Sequence, residues 1–224
     1  MRLSVVLPVL NEAQTITAAL ARLRRPELEI IVADGGSSDD TVALAQPLCD
    51  RVVAAPRGRA LQMNAGAAAA NGDVLLFLHA DTRLPDDAPS AIIDAVGAGA
   101  AWGRFDVRIE GQHPLLGLIA RMMNLRSRLT GIATGDQAIF CSRALFESLG
   151  GYAPIALMED IDFSRRARAL SAPACLRARV TTSGRRWEKH GVLRTVLLMW
   201  RLRLRYFFGA DPQALALAYR PHHE

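Results

Sequence analysis

Four short apolar runs fall within the first eighty residues, and helical patterns separate them. This alternation restricts the fold more than any other feature. The runs are residues 3–7, 29–33, 51–54 and 74–78. Two of them, Ile30-Ile31-Val32-Ala33 and Val74-Leu75-Leu76-Phe77-Leu78, show no polar alternation. Such runs read as strands buried on both faces. Between the first two, Asn11 is placed to cap a helix reaching about residue 24, with Gln14 completing a capping box. Asp34-Gly35-Gly36-Ser37-Ser38-Asp39 reads as a turn and helix start, and the Ala-rich stretch 61–70 as another helix. Strands alternating with helices imply a parallel sheet covered on both faces, an α/β nucleotide-binding type of half.

The second half is less regular. Residues 101–109 read as a strand carrying Arg104, Asp106 and Arg108, residues 115–129 as a helix, and 137–141 as another strand. Ser142 is placed to cap a helix that Gly150-Gly151 stops near Leu149. Residues 159–170 form a helix that opens on Glu159, Asp160 and Asp162 and closes on Arg165, Arg166 and Arg168, in the order the helix dipole favours. Residues 186–208 continue one long helical pattern, and 212–219 a short last one.

With 224 residues, half of them hydrophobic, the chain can bury a core and is not disordered. We divide it into a domain at 1–184, with a nucleotide-binding half at 1–100 and an acceptor half at 101–184, and a basic helical extension at 185–224. Cys49, Cys141 and Cys175 are odd in number and scattered, so neither a disulfide framework nor a metal cluster is expected, and a reducing compartment is the simpler reading. Residues 1–100 carry 8 basic and 12 acidic side chains, whereas 101–224 carry 19 and 10. Such a basic second half asks for an anionic partner, either a nucleotide or a membrane surface.

In an open parallel sheet, ligands bind at the carboxyl ends of the strands. Three polar clusters fall there: Asn11-Glu12, Asp34-Gly35-Gly36 and His79-Ala80-Asp81. His79 and Asp81 are residue types that a divalent metal accepts. A polar turn ahead of Pro85 explains them equally well. Gly135-Asp136-Gln137 is a fourth cluster and Glu159-Asp160-Ile161-Asp162 a fifth. The fifth is either an acidic helix start or the location of a general base.

Taken in order, these clusters carry a resemblance. The carriers are Val5-Val6-Leu7-Pro8-Val9-Leu10-Asn11-Glu12, Ile31-Val32-Ala33-Asp34-Gly35-Gly36-Ser37-Ser38-Asp39-Asp40-Thr41, and Arg57-Gly58-Arg59-Ala60 with Asn64 and Gly66. Gly72-Asp73-Val74-Leu75-Leu76-Phe77-Leu78-His79-Ala80-Asp81-Thr82, Gly135-Asp136-Gln137 and Glu159-Asp160 complete the series. Over residues 3–168 the chain resembles the inverting glycosyltransferases of family 2. The resemblance implies the GT-A fold, an α/β architecture with a Rossmann-like, mostly parallel sheet, here followed by a helical C-terminal extension. It implies a nucleotide diphosphate sugar donor, favoured as UDP-linked, a hydroxyl acceptor, a divalent cation (Mn2+ or Mg2+), and single displacement with Asp160 as base and Glu159 beside it. Pro8, Asn11 and Glu12 would lie beside base and ribose, and Asp34 would accept a hydrogen bond from a pyrimidine. Arg57 or Arg59 would approach base or phosphates. Asp136 and Gln137 would face the sugar or acceptor. Asp81 matches the last acid of the family's Asp-x-Asp motif and would bind the metal. His79 stands where the first acid is usual, which leaves the metal mainly to Asp81 and the phosphates, with Ala80 between them. His190 is a distant second candidate for the metal.

On a helix over 192–208, Arg194, Arg201 and Arg205 share a narrow arc, Val192, Val196, Leu197, Trp200, Leu204 and Phe207 cover the far side, and Arg203 lies among the apolar residues. Three readings stay open: a helix packed on the catalytic domain, an interfacial helix on anionic lipid, and an oligomer contact. No stretch of about 18 residues is free of charge, and Asn11-Glu12 interrupts the first apolar run well short of a signal core. We therefore expect a cytoplasmic protein; on the interfacial reading of this helix it would sit peripherally at the inner face of a membrane and act on a lipid-linked or envelope acceptor. A nucleotidyltransferase is the rival enzyme class, but Pro8-Val9-Leu10-Asn11-Glu12 lacks the glycines and basic residue of its phosphate loop. A non-catalytic nucleotide-sugar-binding relic is disfavoured by Asp34, Asp81 and Asp160. Nucleic-acid binding is disfavoured by the few aromatics on the basic side.

Overall fold

A computed structural model describes residues 1–219, the Arg186 side chain excepted; the last five positions of the 185–224 extension lie outside the described residues. The strands are β1 (Leu3–Val9), β2 (Leu28–Asp34), β3 (Arg51–Ala54), β4 (Val74–Phe77), β5 (Thr82–Arg83), β6 (Trp102–Glu110), β7 (Phe140–Ser142) and β8 (Ala174–Ser183). They form one sheet in the order β3-β2-β1-β4-β7-β6-β8-β5. The helices are α1 (Ile16–Leu23), α2 (Thr41–Ala45), α3 (Arg59–Ala69), α4 (Ala88–Gly97), α5 (Leu115–Thr130), α6 (Arg143–Ser148), α7 (Glu159–Leu170), α8 (Arg185–His190), α9 (Val192–Phe207) and α10 (Pro212–Tyr219).

The first four strands pair in parallel, as their unbroken apolar runs require. Successive side chains of a strand point to opposite faces, so β1 sends Val5, Leu7 and Val9 into one core layer and Val6 into the other. β4 divides the same way, with Val74 and Leu76 on one side and Leu75 and Phe77 on the other. Beyond β4 the sheet becomes mixed. β7 runs antiparallel to both β4 and β6, β8 runs parallel to β6, and β5 returns antiparallel to β8. The reversal brings the second half of the chain to the carboxyl ends of β1 and β4.

Several elements depart from the sequence expectations. Asn11 does not cap α1: the helix begins at Ile16 after Thr15, with no side-chain cap. Asn11 instead adopts a left-handed conformation, φ 54°. From there its Oδ1 accepts from the Ser38 N–H at 2.9 Å, and its own N–H donates to Ser37 Oγ at 2.9 Å. The competing bonds across the β1–β2 loops outweigh local helix propensity. The expected strand at 137–141 is a 3-10 turn, Gly135–Gln137, followed by left-handed Ala138 at φ 48° and strand residues only from Phe140. The long helix expected over 186–208 is interrupted by Gly191 at φ 84°, a conformation glycine adopts without strain. α4, β5 and β8 were not expected. β8 is obscured in the sequence because Arg177 and Arg179 alternate outward along a strand that is only partly buried.

Other elements match closely. α7 spans the expected residues, and Ser142 caps α6 by accepting from Leu145 N–H at 3.2 Å. Gly150 and Gly151 follow α6 at φ 69° and 75°. Arg104, expected on a strand, is wholly buried, where Asp106 and Ser127 Oγ neutralise and hold it. The C-terminal helices pack through a small separate cluster of Met158, Leu202 and Leu215.

Candidate active site

The carboxyl ends of β1 and β4, the 134–136 turn, the start of α7 and the C-terminal helices enclose a cleft of about 210 Å³. Its wall includes Pro8, Glu12, Arg59, His79, Ala80, Asp81, Asp136, Glu159 and Asp160, nine of the thirteen residues expected in the site. A slightly larger groove of about 240 Å³ lies on the other side of Asp81, between α1, β5 and Arg185. It holds neither Asp160 nor His79, so we place the chemistry in the former.

Asp160 sits in the first turn of α7. Its Oδ2 accepts from Gly135 N–H at 2.9 Å and its Oδ1 from Ile161 N–H at 2.8 Å. Burial raises its pKa and the neighbouring Glu159 carboxylate raises it further. The two N–H donors and Arg59 oppose them only in part, and the group ends near about 6. The helix start therefore does not hold this acid at an ordinary value, because desolvation outweighs the dipole. Arg59 Nη1 lies 3.4 Å from Glu159 Oε1. Burial alone would lower the Arg59 pKa, but Glu159, Tyr219, Asp160 and Asp136 raise it, so the guanidinium remains charged.

His79 closes the end of β4 with its Nδ1 3.6 Å from Asp136 Oδ1. Its ring lies against the 134–136 turn so closely that a Cβ on Gly135 would come within 2.6 Å of it. Asp81 is exposed at the cleft mouth, and Thr82 Oγ1 donates to it at 3.4 Å.

The remaining four expected residues lie outside the cleft wall. Asn11 and Asp34 shape the adjacent loop: Asp34 accepts from the N–H groups of Gly36 and Ser37 and from Ser37 Oγ. Arg57 is exposed on the loop before α3. Gln137 is buried behind the wall, where its Oε1 accepts from Thr134 N–H at 3.2 Å and caps the turn. His190, at the end of α8, is not on the wall either.

Sequence reasoning missed five contributors. Met199 and Arg203 of α9 and Tyr219 of α10 complete the wall. The signal for Arg203 was its position among apolar residues of its helix: with Met199 it faces the cleft, while Leu197, Trp200, Leu204 and Phe207 of the same apolar face point to solvent. Gln62 is buried and donates from Nε2 to Val9 O at 2.7 Å and Ala33 O at 3.0 Å, tying the ends of β1 and β2 together. Arg126 of α5 buries Nε and Nη2 with no acceptor among the described residues. Burial lowers its pKa, and the Asp160 carboxylate is the charge that opposes this.

Among the described residues no three His, Cys, Asp or Glu side chains converge into a metal-binding group. One exposed carboxylate, Asp81, is a hard oxygen donor. That donor set fits a cation held by one or two carboxylates together with substrate phosphates, the usual mode for Mg2+, and does not fit an all-protein cage.

The chain is similar to several known proteins. An uncharacterized glycosyltransferase of Mycobacterium tuberculosis is 32% identical over 213 residues, covering 88% of this chain and 80% of that protein. A PGL/p-HBAD biosynthesis glycosyltransferase of Mycobacterium bovis is 30% identical over 195 residues, 76% of this chain and 70% of its own. Among solved structures, S. aureus TarS superposes with a TM-score of 0.64 at 17% identity, over 83% of this chain; the chain spans 61% of the TarS chain. Glucosyl-3-phosphoglycerate synthase from Mycobacterium tuberculosis, solved with Mn2+, UDP-glucose and phosphoglyceric acid, gives a TM-score of 0.60 at 25% identity, with 80% and 70% coverage. The pattern that defines Glycosyl transferase family 2 matches residues 4–145, more than half of the chain, and runs through β1, β4 and the 134–136 turn that border the cleft; the chain belongs to that family.

Proposed function

We propose that the protein moves a sugar from a UDP-sugar to a hydroxyl acceptor, inverting the anomeric centre in a single displacement. The observation that carries this reading is a partly buried carboxylate of raised pKa, Asp160, sharing one cleft with Asp81 and His79 at the strand ends. A carboxylate near pKa 6 is mostly ionised at neutral pH, yet basic enough to accept a proton from an attacking hydroxyl. The N–H groups of Gly135 and Ile161 fix both of its oxygens.

The leaving diphosphate needs positive charge beside it. Arg59 and Arg203 supply it from the cleft wall, and His79 adds a ring N–H. We favour Arg59 over Arg57 because only Arg59 reaches the wall. A divalent cation held by Asp81 and the phosphates would neutralise the charge that develops as the bond to the anomeric carbon breaks. Bound Mn2+ and UDP-glucose in the glucosyl-3-phosphoglycerate synthase neighbour support both the cation and the uridine nucleotide. Asp34, with its oxygens already committed to the 34–37 turn, would present that turn to the base.

The acceptor would enter from the α7, α9 and α10 side, where Leu157, Met199 and Tyr219 make the wall more apolar. That side suits a lipid-linked acceptor, with the protein resting peripherally at the inner face of a membrane through 191–208. Residues 1–184 would be the catalytic domain and 185–224 the element that seats it.

Asp160→Asn tests the assignment directly. Transfer should fall by about 10²–10⁴-fold while UDP binding, followed calorimetrically, stays within a factor of about two. The wild-type rate should also drop as pH falls through about 6. Near-wild-type turnover by the variant would remove Asp160 as the base.

A further inference from the structure

Of the fourteen large hydrophobic side chains exposed among the described residues, ten lie on or directly beside just two helices. On α9 they are Leu193, Leu197, Trp200, Leu204 and Phe207, with Phe208 following. At 100° per residue these fall in one sector of about a third of the helix. Arg194, Arg201 and Arg205 occupy the next sector, and Val192, Thr195 and Leu202 are buried on the third side. The helix is thus apolar outward as well as inward, and its arginines line one edge of the exposed stripe.

α5 repeats the arrangement. Leu118, Met122, Leu125 and Leu129 are 53%, 52%, 58% and 77% exposed at spacings of four, three and four. Arg121 borders them in the open, and Arg128 lies on the same edge with its guanidinium paired to Asp106 at 2.8 Å. The segments that lead into the two helices are fastened together. The Glu188 carboxylate of α8, just ahead of α9, accepts from the N–H groups of Gln112 and His113 that lead into α5. Leu116 and Ala120 of α5 share a core layer with Val192 of α9.

We propose that the outer stripes of α5 and α9 form one docking face for an anionic lipid bilayer. This deepens the peripheral placement inferred above and rests on it, adding α5 as an equal half of the contact. Charge selects the occupant. A second copy of the chain would bring two sets of arginine rows together, and a zwitterionic surface would leave them uncompensated. Apolar side chains dipping below the headgroups, with arginines at headgroup level, satisfy both parts of the pattern. No described helix is long and apolar enough to cross a membrane, so contact at the surface is the geometry available to these two. Because α9 also supplies Met199 and Arg203 to the cleft, the same helix would join the bilayer to the acceptor side.

Cosedimentation with phosphatidylglycerol vesicles tests this, with phosphatidylcholine vesicles as comparison. The full chain should bind the first at low salt and release from it as salt rises. Leu125→Glu on α5 and Leu197→Glu on α9 should each lower the bound fraction about tenfold. Both positions are exposed, so folding should survive, and an unchanged thermal melt checks that it does. Trp200 fluorescence should shift to the blue with phosphatidylglycerol vesicles and not with phosphatidylcholine. Equal binding to both lipids, or unchanged binding by the α5 variant, overturns the proposal. So does a dimer in light scattering that Leu125→Glu dissociates. UDP binding is measured separately: its absence would count against the donor assignment and leave the vesicle result standing.

Discussion

At the residue scale, the site is governed by what burial does to a single carboxylate. Asp160 would titrate near 3.8 in an unfolded chain and does so near about 6 in the folded one. The folded state therefore holds this proton more tightly. Stability falls as pH rises between the two values, and the full cost is present above about 6. Asp160→Asn removes the titration. Relative to wild type, the variant should gain on the order of 2 kcal/mol between pH 4 and pH 7.5, read from denaturant melts at both pH values. A stability difference that does not change with pH would show that Asp160 is not desolvated. If Asp160 is the base proposed above, that gain would come together with loss of transfer, the usual trade between stability and an active site. Glu29, buried behind the opposite strand ends, shows the contrary case. Burial alone would raise its pKa, but Ser4, Asn71 and Arg2 together hold it low. Two acids withdrawn to different degrees from solvent thus diverge according to the donors and charges that surround them, a property no local sequence pattern encodes.

At the element scale, caps and breaks were legible where the responsible bonds are local. Ser142 is followed three residues on by the N–H it accepts from, and that pairing was readable directly. Ser142→Ala should cost about 1 kcal/mol of stability, measured by urea melts. An unchanged midpoint would mean that β7, not the cap, fixes the start of α6. Asn11 failed as a cap for the opposite reason, since its partners Ser37 and Ser38 lie on another loop. Gln137 failed as a site residue because its apparent strand is a turn that it caps from within. α9 was legible as amphipathic but not in its orientation. Periodicity separates apolar from charged faces, and only packing on Met158 and Leu215 decides which apolar sector is inside.

At the scale of the whole molecule, two core layers on either side of the sheet hold most of the buried side chains, and a third, much smaller cluster holds α9 and α10 over the cleft. Elements fastened by so few side chains open more readily than the global unfolding transition. Leu202, wholly buried in that cluster, is the test. Leu202→Ala removes about 2–4 kcal/mol of packing. Hydrogen exchange should rise across 192–219 while the melting midpoint of the rest moves little. A uniform loss of protection over the chain would instead make the C-terminal helices part of the main cooperative unit. The same weak anchorage would suit elements that admit the proposed acceptor, since Met199, Arg203 and Tyr219 line the cleft.

The sequence by itself determined the parallel half of the sheet. Unbroken apolar runs can only be buried on both faces, and polar residues at their ends then collect at one edge. It also singled out side chains that the fold gathers around one cleft: Glu12, His79, Asp81, Glu159 and Asp160 all line its wall. Tertiary structure decided what depends on contacts distant along the chain. These are the reversal of strand direction at β7, the partly exposed β8, the withdrawal of Gln137 into the core, the pairing of Arg59 with Glu159 across a hundred residues, and the arrival of Arg203 in the cleft. The physical reason is common to all five. Local propensity and periodicity are properties of neighbouring residues, whereas burial, charge pairing and pKa depend on which distant segments the closed fold brings together.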